Sequence, residues 1–359
     1  MNNKFKICII GAGVIGLAIA ERLSKYYKDI IVLDKENRFG QHVSSRNSEV
    51  IHSGFYYPLK SLKSKLCIEG NQMMYSFSDK YYINYKKCGK LIVINSRDDE
   101  PKLLNIKDHA LKCGLTNLDI LDRKQSKAIE PRVNCYKSLH VKNTGIIDSH
   151  SFMSKLEYLS KSRGVYFAYN TKVNKVCKKN SYQIFTLDSN EYIDSDIVIN
   201  TSGLWSNKVA ELIGIKNYNL EFYKGDYYKS RTLKNLNCLI YPLPNLSSLG
   251  LHSVLSLNGE VSFGPNTYKV DKIDYSIDDR YKKQYIEEIK NLVDCDNLDL
   301  YEDFSGIRPK IKFDGLFNDF VIRNEKDRGL NNFINLIGID SPGLTSSLAI
   351  AKYVESLIN

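Results

Sequence analysis

The chain has 359 residues, with 51 lysine and arginine residues against 41 acidic residues and a formal net charge of +10. Hydrophobic residues make up 43% and charged residues 26%, which is typical of a folded protein and excludes a disordered or collagen-like chain. The length exceeds one typical domain, so we expect two domains or one large α/β unit with an added lobe. The positive charge suggests a nucleic acid or an anionic membrane as partner. Because the lysines are scattered and form no long basic run, we expect no nucleic-acid binding.

The N-terminal segment predicts a buried strand, a glycine-rich turn and a helix. Lys4–Ile10 is a continuous apolar run, Gly11, Gly13 and Gly16 follow with G-x-G-x-x-G spacing, and residues 14–26 show helical spacing of apolar side chains. A signal peptide is the competing interpretation of this basic and apolar start. A signal peptide has no need of three glycines at fixed spacing, so we favour the first unit of a dinucleotide-binding fold.

The unit is completed by a second strand, Ile30–Leu33, which ends in Asp34. In such a unit Gly11 permits the tight turn, Gly13 lets the backbone approach a pyrophosphate, and Gly16 lets helix and strand pack closely. A carboxylate at position 34 would bind ribose hydroxyls and would oppose a 2′-phosphate, which argues against NADP. The glycine motif alone is weak, but the complete unit predicts dinucleotide binding over a chance glycine-rich turn.

Later segments predict both further parts of this layer and a second domain. Strands at residues 196–200 and 333–339 each end in a turn of small residues that opens a helix, as at the ligand-binding edge of an α/β sheet. Residues 220–264 alternate as in antiparallel strands. We also expect a strand pair at residues 85–94 with its turn at Cys88-Gly89, and helices at residues 101–114, 123–129 and 275–293.

We therefore expect an α/β fold, α+β overall, in which a Rossmann-like cofactor domain carries an inserted, largely antiparallel β-sheet domain for the substrate. The cofactor domain is expected to be discontinuous. We assign residues 1–84, 140–212 and 303–359 to the cofactor domain, and residues 85–139 and 213–302 to the substrate or cap domain.

A loop of unusual composition follows the second strand. Residues 39–58 are mostly small and polar, and they include His42, His52 and the adjacent Tyr56 and Tyr57. Near a cofactor, such a loop supplies backbone donors, hydroxyls and imidazoles.

This loop resembles the flavin-contacting loop of the D-amino-acid-oxidase-like superfamily of FAD oxidoreductases, and more narrowly that of the L-2-hydroxyglutarate dehydrogenase family. The resemblance covers essentially the whole chain. One departure is Glu49, which stands where the family commonly has glycine; we expect its carboxylate to pair with Arg46. Further stretches that match family elements are residues 224–228 (G-[DE]-Y-Y), 250–252 with 263–266 (G-[IL]-H and G-P-N), 306–310 (G-[IL]-R-P-K) and 339–345 (I-[ED]-S-P-G-L-T).

The resemblance implies a Rossmann-like FAD-binding domain, FAD as the cofactor, and no metal. It also implies which residues hold the flavin nucleotide, including a strand at residues 171–177 whose backbone would pass the adenine. The implied cofactor residues are Gly11, Gly13, Gly16, Asp34, Ser44, Ser45, Asn47, Val173, Gly203, Gly343, Leu344 and Thr345.

The implied reaction oxidises a 2-hydroxy acid, with L-2-hydroxyglutarate as the best guess, to the 2-oxo acid. Hydride passes to the flavin, and a base takes the hydroxyl proton, for which histidine is the natural side chain. His52 is the first candidate and His252 the second, and the sequence does not decide between them. His42 is the third candidate and is as well suited to orienting the loop. For any one histidine the alternative is a purely structural role.

The substrate carboxylates need cations and hydroxyl donors. Arg308 can bind a carboxylate through two parallel hydrogen bonds, and Lys310 can help it. Tyr57 and Tyr228 are expected to donate hydroxyl hydrogen bonds. The alternatives are a structural ion pair for Arg308 and core packing for the two tyrosines.

Electrons are expected to pass to a quinone or another acceptor that the sequence does not name. Eight dispersed cysteines without a C-x-x-C pair predict reduced thiols and a cytoplasmic protein, and the basic surface adds peripheral contact with the cytoplasmic face of the inner membrane as an expectation. Two alternatives stay open. One is an FAD-dependent oxidase of glycine, sarcosine or D-amino acids that reduces oxygen. The other is a flavoprotein whose basic face docks on nucleic acid or a membrane.

Overall fold

The computed structural model describes residues 4–187, 189, 191–244, 250–312 and 317–358. Over these residues a search for a bilayer-spanning helix finds none. The helices are α1 (Val14–Leu23), α2 (Leu62–Tyr81), α3 (Glu100–Lys112), α4 (Arg123–Ile129), α5 (Ser149–Ser162), α6 (Ser206–Glu211), α7 (Lys282–Lys290) and α8 (Gly343–Glu355). The strands are β1 (Lys4–Ile10), β2 (Ile30–Leu33), β3 (Val50–Ile51), β4 (Tyr85–Lys86), β5 (Lys90–Ile94), β6 (Leu118–Asp122), β7 (Lys137–Val141), β8 (Gly145–Ile147), β9 (Tyr166–Ala168), β10 (Val173–Lys178), β11 (Tyr182–Thr186), β12 (Tyr192–Asn200), β13 (Leu220–Lys234), β14 (Leu239–Pro242), β15 (His252–Leu255), β16 (Glu260–Gly264), β17 (Tyr268–Val270), β18 (Leu300–Ile311), β19 (Val321–Asn324) and β20 (Phe333–Ile337).

The largest sheet contains the strands predicted for the cofactor layer. Strands β20, β12, β1, β2 and β9 lie side by side and run parallel, β19 adds an antiparallel edge, and the hairpin β10–β11 extends the first half of β12. Strands β2 and β20 are buried along their whole length. Accordingly β2 is a continuous apolar run, and β20 is apolar except for Asn335, whose buried amide donates to the Glu325 carboxylate at 2.8 Å. Helix α8 packs against α1 and α2, and α1 packs against α5. This arrangement confirms the predicted α/β class.

The other three sheets are largely antiparallel, as predicted. The long strand β13 is the centre of a five-stranded sheet, with β18 on one side, β16 and β17 on the other, and β15 beyond β16. A four-stranded sheet has the order β14–β5–β7–β6, and a three-stranded sheet has the order β3–β8–β4. The exact domain boundaries stay a prediction.

Two predicted elements are wrong. Residues 85–94 do not form a hairpin, because β4 pairs with β8 whereas β5 pairs with β7 and β14. The helix expected at residues 275–293 begins only at Lys282, after a 3₁₀ turn at Asp279–Tyr281. The side chains of Asp274 and Asp278 accept hydrogen bonds from backbone N–H groups two residues ahead, and such bonds compete with helix formation. In the β-rich segment 220–264, residues 245–249 lie outside the described part of the chain.

The register of the main sheet brings three turns to one edge. Ile10 lies opposite Leu33 on one side and opposite Asn200 on the other. The backbone N–H of Gly11 donates to the Leu33 carbonyl at 2.8 Å, and that of Thr201 donates to the Ile10 carbonyl at 2.9 Å. The glycine turn, the carboxylate after β2 and the turn after β12 therefore meet where parallel sheets bind ligands.

Candidate active site

A cavity of about 1360 Å³ lies between the carboxyl edge of the main sheet and the five-stranded sheet. Two groups of predicted residues line it. We call the first group the nucleotide region: Gly11, Gly13, Asp34, Ser44, Asn47, Val173 and Gly203. We call the second group the catalytic region: His52, Tyr57, His252, Arg308, Lys310, Gly343 and Leu344. The predicted site residues that do not line the cavity are Gly16, Ser45, Tyr228 and Thr345.

The three glycines of the G-x-G-x-x-G motif have different structural roles. Gly11 has a φ of +112°, and a Cβ added there would lie 2.6 Å from the Thr201 carbonyl oxygen. A Cβ on Gly16 would lie 1.9 Å from the Gly11 carbonyl oxygen, so both positions are fixed by packing within the protein. At Gly13 the nearest atom to an added Cβ is Ser44 Oγ, at 3.0 Å. Because Gly13 also lines the cavity, its missing side chain leaves room for a ligand.

The start of α1 and the end of β2 supply the polar groups that a dinucleotide needs. Val14 N donates to Ser44 Oγ at 2.9 Å, and the first turn of α1 holds no acidic side chain that would repel a phosphate. The Asp34 carboxylate accepts from the backbone N–H groups of Ala12 at 2.6 Å and Glu36 at 2.9 Å. Each carboxylate oxygen can accept a further bond from a ribose hydroxyl. The donors, the carboxylate and the space at Gly13 fit FAD.

Ser45 and Asn47 fix the shape of the loop that follows β2. Ser45 Oγ donates to the Gly40 carbonyl, which places this hydroxyl away from the cavity. The Asn47 amide donates to the Ser44 carbonyl at 2.8 Å and accepts from the Glu49 backbone N–H at 2.8 Å. Through these bonds the loop holds Ser44 at the start of α1.

The predicted pair between Arg46 and Glu49 is wrong. Glu49 has a φ of +53°, in the left-handed region that favours glycine, and its carboxylate accepts from Ser149 N at 3.0 Å. That contact places the acid at the positive N-terminal end of α5, where it is stabilised. The Arg46 guanidinium instead lies 4.1 Å from the centre of the Tyr275 ring and donates to the Ser305 carbonyl at 3.4 Å.

His42 has both ring nitrogens engaged. Its Nε2 lies 2.9 Å from Glu36 Oε1, and its Nδ1 lies 3.0 Å from the Tyr275 hydroxyl. The ring meets Trp205 edge-on at 4.7 Å, and the Lys35 ammonium lies 3.3 Å from the centre of the indole. This arrangement suits a residue that orients the loop. Trp205 and Tyr275 were not predicted, because only the tertiary structure brings them to His42.

His252 has the geometry of a proton acceptor. Its Nδ1 lies 2.7 Å from the Gly250 carbonyl oxygen. A carbonyl can only accept, so the neutral ring carries its proton on Nδ1 and its lone pair on Nε2. Burial lowers the pKa of His252 to about 3, so the ring is uncharged at neutral pH. The ring lines the cavity and stacks on Tyr241, with the two ring centres 3.9 Å apart.

His52 is held mainly through its backbone. Its N–H donates to Thr345 Oγ1 at 3.0 Å, and its Nε2 lies 3.5 Å from Ser341 Oγ. Thr345 therefore ties the loop to α8 without reaching the cavity itself. Burial lowers the pKa of His52 to about 3, and the positive charge of Lys90 acts in the same direction. Both imidazoles of the catalytic region are thus uncharged at neutral pH.

Three basic side chains, those of Arg308, Lys310 and Lys63, line the catalytic part of the cavity. Arg308 Nη2 donates to the Asn266 carbonyl at 3.2 Å, which leaves most of its N–H groups for a ligand. Burial lowers the pKa of Lys310, and the nearby Arg308 and Lys63 add to this effect. Lys63 itself is buried and pairs with Asp340 at 2.7 Å. The region is therefore suited to an anionic ligand.

The structure corrects the prediction for Tyr228. Its side chain is fully buried, and its hydroxyl lies 3.2 Å from the Asp278 carbonyl oxygen. Successive side chains of a strand point to opposite faces, so the neighbouring Tyr227 lines the cavity instead, stacked on Phe304 at 4.3 Å. The motif indicated the right strand but not the face.

Residues 6–357 match the model of the DAO family, described as FAD dependent oxidoreductase. The mitochondrial L-2-hydroxyglutarate dehydrogenase of Arabidopsis thaliana is 33% identical over 397 aligned positions, which cover 97% of this chain and 82% of that protein. Several further relatives carry the same name. The glycerol 3-phosphate dehydrogenase of Caloramator mitchellensis is 28% identical and covers 99% of this chain and 74% of that protein. The solved FAD-bound L-alpha-glycerophosphate oxidase of Mycoplasma pneumoniae superposes with a TM-score of 0.89 over 99% of this chain and 95% of that one, and at 24% identity it shows the fold alone.

Proposed function

The chain belongs to the DAO family of FAD-dependent oxidoreductases, and on that premise we propose that it oxidises the CH–OH group of a 2-hydroxy acid, L-2-hydroxyglutarate, to the 2-oxo acid. The observation that carries the proposal is a neutral imidazole, His252, with its lone pair on Nε2, in a cavity that also holds Arg308 and Lys310. FAD, when bound, supplies the acceptor for the hydride that leaves the substrate carbon. The names of the relatives support the choice of substrate.

The side chains of the catalytic region divide the remaining work. Arg308 binds one carboxylate through its fork of donors, and Lys310 adds a second positive charge for the other carboxylate. These contacts orient the hydroxyl toward the base. His252 Nε2 then accepts the hydroxyl proton as the C–H bond breaks. A bound anion beside the ring raises the pKa of the imidazole, so the base strengthens when substrate is present.

The electron acceptor is a second part of the proposal. We infer that a quinone or another acceptor, and not oxygen, takes the electrons, because the relatives are named dehydrogenases. Substrate-dependent dye reduction without hydrogen peroxide release is the expected result. Rapid peroxide release at the rate of substrate oxidation would identify an oxidase.

Contact with a membrane is a further proposal, supported by the net charge of +10. Sedimentation with vesicles of neutral lipid, with and without an anionic lipid, tests it. We expect enrichment on the anionic vesicles that declines as salt rises. Equal sedimentation with both kinds of vesicle would contradict contact with an anionic membrane.

Glycerol 3-phosphate is the second candidate substrate. The relative from Caloramator mitchellensis bears the name of a glycerol 3-phosphate dehydrogenase. Its chemistry is also the oxidation of a CH–OH group next to an anionic group, which the same cations can bind. Oxidation of an amine is the weaker alternative, because the relatives above are named for hydroxyl compounds.

Turnover with a panel of substrates and an artificial electron-accepting dye separates these candidates. The panel contains L- and D-2-hydroxyglutarate, glycerol 3-phosphate, glycine and sarcosine. We expect turnover of the L-2-hydroxyglutarate alone. Turnover of glycerol 3-phosphate alone would identify the second candidate as the substrate. Turnover of glycine or sarcosine alone would overturn the proposal.

A further inference from the structure

A lysine that the proposed reaction does not use lies behind the wall of the catalytic region. Lys90 begins β5, and its side chain is fully buried. Its ammonium lies 4.4 Å from the centre of the Tyr56 ring, 4.7 Å from that of Tyr241 and 5.2 Å from that of Phe55. Among the described residues, Nζ has no hydrogen-bond acceptor. Aromatic faces are thus its observed partners.

In the described part of the chain, no anion lies beside this charge. The titratable groups beside Lys90 are the Cys67 thiol on α2 and the hydroxyls of Tyr56 and Tyr241. Burial raises the pKa of all three, so they stay protonated and uncharged at neutral pH. A buried cation without a counter-ion destabilises a fold, and such groups concentrate at functional sites. The charge therefore needs an explanation beyond packing.

The packing connects Lys90 to His252 through Tyr241. Tyr241, against which the ammonium lies, stacks on His252 with ring centres 3.9 Å apart, and Tyr56 lines the same cavity as His52. His252 also experiences the positive charge of Arg308, on β18.

A nearby cation opposes the charging of an imidazole. After burial, the Lys90 charge is the largest contribution that lowers the pKa of His52, and it also lowers that of His252. Burial lowers the pKa of Lys90 itself to about 7.

We propose that Lys90 is a positioning residue of the active site, whose buried ammonium, packed against Tyr56 and Tyr241, acts through the stacked ring of Tyr241 and through its positive charge on His252, the imidazole that accepts the substrate proton. The inference rests on the proposed function, because it concerns the base of that reaction. Lys90 acts through the aromatic wall and through its charge, and it does not line the cavity itself.

A pH titration of the imidazole resonances by NMR tests the proposal on the FAD-loaded protein without substrate. His52→Gln and His252→Gln assign the two resonances. In Lys90→Met, which keeps the length of the stem and removes the charge, we expect the midpoint of His252 to rise by about one pH unit. Lys90→Arg should keep the wild-type midpoint, and Lys86→Met, at an exposed lysine of β4, should leave it unchanged. Unchanged midpoints for both histidines in a folded, FAD-loaded Lys90→Met protein would overturn the proposal.

Two further readouts keep the test decisive. In the wild-type protein, the same resonances should show a second step as Lys90 loses its proton, so absence of that step counts against the proposal even if Lys90→Met does not fold. With substrate, the acidic limb of kcat/KM should move to higher pH in Lys90→Met by the same amount as the imidazole midpoint. If no 2-hydroxy acid is turned over, the titration without substrate still decides the role of Lys90.

Discussion

The nucleotide region and the catalytic region line one cavity but are built differently. In the nucleotide region Gly11, Gly13 and Asp34 come from one contiguous strand–turn–helix–strand segment, and the key groups there are backbone N–H donors and one carboxylate. The catalytic region is assembled from the loop after β3, from β15, from β18 and from the start of α8. Its key groups are buried side chains whose protonation is shifted by burial and by one another.

The difference shows where each kind of function is encoded. Binding of a diphosphate needs close backbone approach, which local sequence specifies through glycine spacing. Proton transfer needs side chains whose pKa depends on their surroundings, and those surroundings exist only after the sheets pack. Substitutions should therefore separate the two regions, with loss of chemistry in one and loss of cofactor affinity in the other.

The largest effect is expected at the base. His252→Gln removes the Nε2 lone pair at its present place, so kcat should fall by about 10²–10⁴-fold while the flavin content stays the same. Steady-state rates and the flavin spectrum of the purified variant measure both quantities. His150→Gln, at an exposed histidine of α5, is the matched control. If His252→Gln keeps full activity and His52→Gln loses it, the base is His52.

The next effect concerns stability. Lys90→Met should unfold at higher denaturant concentration than wild type, because it removes a buried, unbalanced charge. The pKa of Lys90 falls from 10.5 to about 7 on folding. Burial of the charged side chain therefore lowers the free energy of unfolding by about 3–5 kcal/mol when Lys90 is protonated in both the folded and the unfolded protein. This destabilisation is greatest below pH 7, where Lys90 is protonated in both the folded and the unfolded protein. It declines as the pH rises toward 10.5, because the folded protein loses the Lys90 proton first.

Denaturant unfolding of wild type and Lys90→Met across this pH range measures the difference. The stabilisation should be greatest below pH 7 and should vanish above pH 10.5. A variant that is less stable than wild type at pH 6 would mean that Lys90 has a counter-ion in the folded protein.

A smaller effect is expected for substrate binding. Arg308→Lys keeps the charge but loses the paired donors, so KM for L-2-hydroxyglutarate should rise by about 10–100-fold with a lesser change in kcat. Steady-state kinetics over a range of substrate concentrations separate the two constants. Arg231→Lys, at an exposed arginine of β13, serves as the control. An unchanged KM would remove Arg308 from the substrate site.

The smallest effect tests the nucleotide region. Gly13→Ala should weaken FAD binding by about tenfold or more, yet change the free energy of unfolding of the FAD-free protein by less than about 0.5 kcal/mol, because only Ser44 Oγ is near the added Cβ. Gly16→Ala should instead destabilise the fold, since its Cβ would overlap the Gly11 carbonyl. Flavin titration and thermal unfolding measure the two quantities. Unaltered FAD affinity in Gly13→Ala would show that no phosphate approaches this turn.

The sequence places Gly11, Gly13 and Asp34 at the cavity, because the glycine spacing, the helix and Asp34 belong to one local unit, whereas Val173 and Gly203 follow only from the family resemblance. The motif resemblance names His52, His252, Arg308 and Lys310, and all four line the cavity. The sequence does not identify Lys90, because an isolated lysine before an apolar strand has no local sign of burial.

Tyr228 was misplaced for a related reason. A motif names the strand, whereas the packing of that strand determines which of two neighbouring tyrosines faces the ligand.

In the proposed reaction the cavity holds FAD, and the CH–OH carbon of L-2-hydroxyglutarate is oxidised there with His252 as base. Anaerobic mixing of the FAD-loaded protein with L-2-hydroxyglutarate tests it most directly. We expect rapid bleaching of the visible flavin band by the L-form, no bleaching by the D-form, and a strongly slowed reaction in His252→Gln. A purified protein that binds no flavin, or a flavin bleached by glycine or sarcosine and not by any 2-hydroxy acid, would contradict it.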